Sequence, residues 1–579
     1  MVDIRTKCAF LGLVPLSLFL NGDALSQAAS DPYLILREAY AVGDAKRASE
    51  AYTEDSHYAE LYDGAAPLVR TGRTQIEEGF SGLFSQFGPP TNDRPIDLNF
   101  RFVSRLPDAA GSSDAGYYRI VIGKGEGAQR FYGRFATRIR NGKFVSDASS
   151  GANSDDFDAA PGPVHVNDAD EELSVSFHDP LTGYFHSEGC GYVITRSVRR
   201  LFAFDECSRE WRGLNRSDGL RWTSGNAVID AKASQGKSFD FSDKARSNII
   251  LGVGVSKMIF TRQQYLRKDV KFGKETRLAG TLYMPDVPIG KRPGIVIIHG
   301  SGPQDRNGYA SIIALLADHF VRAGAVVLTY DKRGVGGSRG NWAVADFGTL
   351  AIDAQSGMEF LKSRPEVDPT RVGLAGSSQA GWVVAQAIKE GANPAFVMLI
   401  GAAGSALTVE EQNLYNTRVR MQCAGIPAAE ITLALDQQRA FFAARRDPAN
   451  ATKLSAISAK ASAFPRLRDW LFPAEVTRSG GNEWYDVLDI DFDPLPIWKQ
   501  YRGKAYFLFG SEDDSTPTDL AVKRLKLLGN DKHIITKTLG GAQHLGLEAS
   551  SLCKGDLSDV SNFHREFFST LRAWQNQLK

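Results

Sequence analysis

From residue 266 onward the chain alternates short apolar runs with amphipathic stretches. Residues 294–299, 325–331, 371–376, 395–400 and 505–510 are mainly apolar over strand length and 534–539 (IITKTL) reads as a further, more polar strand, whereas 310–323, 347–363, 380–391, 518–528 and 560–577 carry apolar residues at helical spacing. A hairpin pattern at 265–272 and 276–283 leads into the first run. Strands that are apolar throughout, each followed by a helix, predict an α/β fold with a mostly parallel sheet covered on both faces. In such sheets ligands bind beyond the carboxyl ends of the strands.

Upstream the rhythm differs. Residues 33–52 and 74–87 read as helices, and 97–106, 115–122, 131–140 and 143–147 as strands, which predicts an α+β unit over 29–158. An acidic stretch rich in Gly, Ser, Ala and Pro follows, with a linker at 159–172. Residues 173–265 hold short alternating runs such as 191–195, 201–204 and 227–230, and predict a small sheet or barrel. That segment is too short for a seven-bladed propeller, whose blades run about 40–50 residues each. The last domain, 266–579, is interrupted at about 403–499 by helical runs (408–421, 428–446, 453–464) and the aromatics Trp470, Phe472, Trp484, Tyr485 and Trp498. Such an insertion is placed to act as a cap that shapes a pocket, or its aromatics pack it on the body.

Composition narrows the function class. The 579 residues are 43% hydrophobic and 23% charged, with a formal net charge of +1. No global field favours nucleic acid or an anionic membrane. Arg5 and Lys7 precede an apolar run at 8–20, and Ala24 to Ala29 offer small residues for cleavage. This predicts a signal peptide over 1–28 and a periplasmic or secreted protein, the alternative being an apolar first helix. No later stretch reaches transmembrane length, so no membrane anchoring is expected after signal removal. Cys190, Cys207, Cys423 and Cys553 remain, without a C-x-x-C pair that would suggest structural zinc. Cys190 and Cys207 either staple the β-rich segment or stay as thiols.

The chemistry concentrates at strand ends. Residues 372–381 read VGLAGSSQAG, an apolar run into Gly-x-Ser and then a helix, the order of a nucleophile elbow. Ser378 has Gly376 two positions before it; Ala380 stands where a second glycine is usual. Ser377 is the rival nucleophile, flanked by Ala375 and Gln379. After the run at 294–299 come Gly300 and Ser301 of HGSGP, whose backbone N–H groups, with that of Gln379, suit a developing oxyanion. DKRGVGGS at 331–338 lacks Gly-Lys-Ser/Thr and G-x-G-x-x-G, so it reads as a sharp strand-to-helix connection and not a phosphate cradle. In this fold the order is serine, acid, histidine. Of the late histidines, His533 opens a strand, His564 falls in a helix, and His544 occupies the loop GGAQHLG just after a strand. The acid lies in FGSEDDSTP, where Gly510-x-x-Asp513-x-x-Thr516-Pro517 selects Asp513 over Asp514 and Glu512. His178 and His186 show no metal-ligand spacing.

HGSGP, YDKRGVGGS, RVGLAGSSQAG, FGSEDDSTP and GAQH together resemble the α/β-hydrolase serine esterases and peptidases, notably dienelactone-hydrolase-like and prolyl-oligopeptidase-like members, across 266–579. AYAVGDAKRASEAYTEDSHYAELYDG, with GRTQIEEGF, resembles the opening of the nuclear-transport-factor-like cone of polyketide cyclases and ketosteroid isomerases, which implies a pocket with Asp55, His57 and Asp147 as candidate polar groups, the alternative being a scaffold or ligand-holding module without chemistry. The first resemblance implies a serine hydrolase that cleaves a carboxylic ester through an acyl-enzyme, and the N-terminal leader adds the expectation that it is exported. Ser378 is then the nucleophile, His544 the base and Asp513 its orienting acid, with the oxyanion held at Gln379, Gly300 and Ser301. It implies no metal or organic cofactor, and a small ester or short peptide as partner. The alternatives are a peptidase or amidase, and a non-catalytic binding protein whose site is the cone.

Overall fold

The computed structural model describes residues 32–578 except 62–67, 92–93, 109–110, 124–127, 153–156, 158–178, 198–199, 219, 230–235, 244, 264, 287–289, 303, 341, 343–344, 473–487 and 530–531. The expected signal peptide and linker, His178, Trp484 and Tyr485 lie outside the described residues. The chain divides into two compact units, 1–174 with 472–483, and 175–471 with 484–579.

In the first unit, helix Pro32–Val42 buries Tyr33, Leu36 and Tyr40, and helix Arg73–Phe87 buries Ile76, Phe80, Phe84 and Phe87. Both sets follow the helical repeat. The single helix expected over 33–52 is broken. Gly43 adopts φ 68°, Asp44 caps a short helix Ala45–Ser49, and Tyr52 already begins a strand. That strand, Tyr52–Leu61, is polar in sequence, and its pairing decides its conformation: it runs parallel to Lys143–Gly151, with Tyr58 opposite Asp147. The sheet order is Leu68–Thr71, Tyr52–Leu61, Lys143–Gly151, Gln129–Arg140, Gly111–Ile122, Ile96–Asp108. Of the three polar candidates here, only Asp147 is inside; Asp55 and His57 are exposed. The Tyr52 hydroxyl donates to Asp147 Oδ2 at 2.6 Å. Burial pushes the Asp147 carboxyl up to about 6, against the lowering effect of that bond.

The second unit opens with a closed antiparallel barrel ordered Trp211–Asp218, Arg221–Ser224, Ser238–Asp240, Asn248–Val253, Ser256–Gln263, Gly183–Ser187, Cys190–Ser197, Arg200–Asp205. Residues 227–229 form a turn there, not the expected strand, because the Val228 and Ile229 N–H groups donate to Val560 and Leu557 instead of to a ladder. Alternation along its strands serves two cores. Tyr192, Ile194, Leu201 and Ala203 fill the barrel, while Val193, Phe202 and Phe204 face the large sheet's core with Phe563 and Phe567. A disulfide joins Cys190 to Cys207.

The large sheet is ordered Leu266–Phe272, Leu278–Met284, Val326–Tyr330, Arg292–Ile298, Val367–Ser377, Phe396–Ile400, Lys504–Gly510, Ile534–Leu539. The first three strands pair antiparallel and the rest parallel. The insertion between Phe396–Ile400 and Lys504–Gly510 contains helices Val409–Cys423, Ala428–Arg446, Ala451–Ser462 and Leu495–Gln500. Its Trp498 is fully buried and stacks edge-on to Phe507 of the sheet, so that aromatic packs the body. The closing helix spans Phe567–Asn576, shorter than expected. Residues 560–563 instead exchange backbone hydrogen bonds with the barrel and its neighbours: Trp211 donates to Ser561, and Phe563 donates to Arg209. No described helix is long and apolar enough to cross a membrane.

Candidate active site

Strand Val367–Ser377 ends at Ser378, which adopts φ 57°, and helix Ala380–Lys389 begins two residues later. A left-handed conformation at a serine is strained, and a strand-to-helix elbow is where that strain places a side chain at the sheet edge. The elbow requires Gly376: a β-carbon there would lie 2.6 Å from both Ala380 Cβ and the Ile298 carbonyl oxygen. Ala380 itself is accommodated, fully buried. Ser377 is buried at the strand end, whereas Ser378 is half-buried.

His544 sits at the tip of a tight loop. Gln543 N–H donates to Leu547 O (2.8 Å) and Gly546 N–H to Gln543 O (2.9 Å), which presents residue 544 away from the chain. Its Nδ1 lies 2.9 Å from each oxygen of Asp513. The Asp513 side chain is completely buried, and its Oδ1 also accepts the N–H groups of Ser515 and Thr516, each at 2.8 Å. Asp514 turns to Arg420 (2.9 Å) and Glu512 to Ser511 (3.1 Å). Burial disfavours the imidazolium, but the Asp513 charge and hydrogen bond outweigh it, and the pKa of His544 is raised above the ordinary 6.5. His533 lies in a turn before its strand, and His564 precedes the closing helix where the sequence pattern placed it inside.

The peptide after Ile400 joins the two halves. Ser378 N–H donates to Ile400 O (3.1 Å), Thr516 Oγ1 donates to Gly401 O (2.9 Å), and Gly401 rests against His544. Among the described residues no hydrogen bond links the Ser378 hydroxyl to His544. Such bonds are often long in unliganded sites and tighten around substrate.

The loop after strand Arg292–Ile298 stands against the elbow; a β-carbon on Gly300 would be 3.5 Å from Ser378 Cβ. Among the described residues, the backbone N–H groups of Gly300, Ser301 and Gln379 have no acceptor. His299 is buried, with Nε2 2.5 Å from the Tyr330 carbonyl, and burial together with nearby Lys332 holds its pKa down to about 3. It is neutral and structural.

The DKRGVGGS turn is a scaffold for this rim. Asp331 accepts from Arg306 Nε and Nη2 (3.0 and 2.7 Å) and from Gly337 N–H (2.9 Å). Arg333 grips Asp353 through two bonds of 2.8 Å. Lys332 points inward, buried, toward the loop at Gly300. Sequence reasoning treated this turn only as a connection; a charged triplet beside a glycine run at a strand end was the available signal.

Sequence reasoning also missed the brace on the acid. Helix Val409–Cys423 of the insertion turns one face to the Asp513 loop: Tyr415 Oη donates to Asp513 O (2.9 Å), Gln412 Nε2 to Ser515 O (3.1 Å) and Asn416 Nδ2 to Asp514 O (3.2 Å). The spacing 412, 415, 416, 420 was visible as a polar helical stripe. A second disulfide, Cys423–Cys553, anchors the end of that helix. Among the described residues, the grouping of three possible metal ligands is Cys190, Asp205 and Cys207, and its two sulfurs are bonded to each other.

No curated protein matches the chain. Solved structures similar to it include the esterase Pf2001 of Pyrococcus furiosus (12% identity, 54% of this chain, 89% of that chain, TM-score 0.34). Two others are the alpha/beta hydrolase GrgF of Penicillium sp. sh18 (17%, 54%, 96%, 0.33) and Est1E of Butyrivibrio proteoclasticus (13%, 53%, 96%, 0.33). The model of the alpha/beta hydrolase family matches residues 295–550. That segment runs from the strand preceding the Gly300 loop to just beyond His544, and so an alpha/beta hydrolase family domain carries every residue of this site.

Proposed function

We propose that the protein is an exported serine hydrolase that cleaves carboxylic esters. The observation that carries this reading is the convergence of Asp513 on His544 Nδ1 at 2.9 Å, on the rim where Ser378 occupies a strained elbow. With Nδ1–H donated to Asp513, the imidazole presents Nε2 as a base. It takes the proton of Ser378 as the hydroxyl attacks the ester carbonyl. The tetrahedral oxyanion is met by the N–H groups of Gln379, Gly300 and Ser301, and His544 returns the proton to the leaving alcohol. Water repeats the sequence on the acyl-enzyme. Each such donor is worth about 3–4 kcal/mol of barrier. The two disulfides support export to an oxidising compartment.

A fluorophosphonate probe and short p-nitrophenyl esters test the reading. Wild type is expected to be labelled and to turn over ester, and Ser378→Ala to do neither. An unlabelled wild type, or equal labelling of Ser378→Ala, overturns the assignment.

A further inference from the structure

Lys332 is buried immediately behind the candidate oxyanion site, and its ammonium has three donors for three acceptors. Nζ donates to Gly300 O at 2.9 Å, to Gly302 O at 3.1 Å and to Gln379 Oε1 at 2.8 Å. Its own backbone N–H donates to Gln304 O (3.0 Å), and Gln304 Nε2 donates to Ser301 O (2.8 Å). One side chain therefore ties the loop of Gly300 and Gly302 to Gln379, the residue after Ser378.

Peptide geometry makes this tie directional. In a planar trans peptide the C=O and N–H point in opposite directions. The Gly300 carbonyl and the Ser301 N–H belong to one peptide. Drawing the carbonyl toward Lys332 turns the N–H the other way, away from the lysine. Burial lowers the Lys332 pKa to about 7; in its protonated form the positive charge on the carbonyl side also polarises that peptide, which strengthens its N–H as a donor. Donors fixed before the reaction cost no reorganisation when the oxyanion forms.

We propose that Lys332 is a positioning residue that orients the Ser301 N–H and the Gln379 segment for oxyanion binding. The proposal rests on the reading of Ser378 as nucleophile and adds to it a device that the elbow and the Asp513–His544 pair do not supply. Lys332 touches neither substrate nor reacting atoms; it acts through the loop.

The test uses full-length Lys332→Met, which keeps the stem and removes the charge, and Lys332→Gln, which keeps a donor. Two readouts apply: kcat and KM on a p-nitrophenyl ester, and amide hydrogen exchange in peptides covering 299–304 and 377–381. Lys332→Met is expected to lose about 100-fold in kcat with KM changed less than about threefold. It should exchange faster in both peptides, and Lys332→Gln should fall between it and wild type. Should Lys332→Met fail to fold, Lys332→Gln is judged by the same criteria against wild type. Unchanged exchange, or a kcat within about twofold of wild type, overturns the proposal. If wild type proves inactive and unlabelled, the nucleophile assignment fails, while the exchange measurement still decides whether Lys332 holds the loop.

Discussion

Gly401 gives His544 the room it occupies: a β-carbon built at residue 401 would lie 3.0 Å from Nδ1 of the imidazole and closer still to the His544 carbonyl oxygen. Gly401 also has φ 54°, a conformation other residues adopt only with strain. We expect Gly401→Ala to destabilise the fold by about 1–3 kcal/mol and to reduce ester turnover far more than this loss explains, by pushing the ring off Asp513. Thermal melting and kcat/KM measured together check this. Full activity in Gly401→Ala would show that the ring does not depend on that space.

The acid limb of the pH–rate profile should lie above the ordinary histidine value. With His544 as the proposed base, turnover needs its imidazole neutral, and Asp513 raises its pKa in spite of burial. Activity is therefore lost as pH falls through a midpoint above 6.5. Asp513→Asn removes the charge and leaves burial to dominate, so the midpoint should move down while kcat falls by about 10³–10⁴. A midpoint that stays in place in Asp513→Asn would separate the limb from this pair.

The first unit has its own pH signature. Asp147 has a folded pKa of about 6, raised by burial above the unfolded value. Stability from this group is full below the unfolded carboxylate range, about 3.9, and is lost as pH rises through the folded value. Asp147→Asn should gain stability over wild type at about pH 8 and show little advantage at about pH 4. Melting curves across that range decide it; parallel pH dependence in the two proteins would count against a buried carboxyl.

Removing the Cys423–Cys553 bond should cost about 2–4 kcal/mol. The bond ties the acid-bracing helix to the segment after His544, so Cys423→Ser is expected to melt lower, and wild type in reductant, which also loses Cys190–Cys207, to fall at least as far. A Tm insensitive to both changes would mean that the two cysteines do not constrain the fold.

The strand–helix rhythm of 266–579 was readable because each buried parallel strand must be apolar along its whole length, whatever it neighbours. The elbow was readable for a similarly local reason: a left-handed serine between strand and helix demands a small residue at 376. Chain order pointed to His544 and turn spacing to Asp513. Other features carried no local mark. Strand Tyr52–Leu61 is polar and takes its conformation from its partner. Residues 560–563 look helical, yet spend their backbone groups on the barrel.

What the amino-acid order determined by itself was therefore the identity of residues whose role is set by backbone conformation and by the few positions before and after them. Tertiary structure alone decided that Cys423 bonds Cys553, that helix Val409–Cys423 braces the Asp513 loop, and that Lys332 lies behind Gly300. Those outcomes depend on distances between segments far apart in the chain. Close packing sets such distances, and no pattern along one segment encodes them.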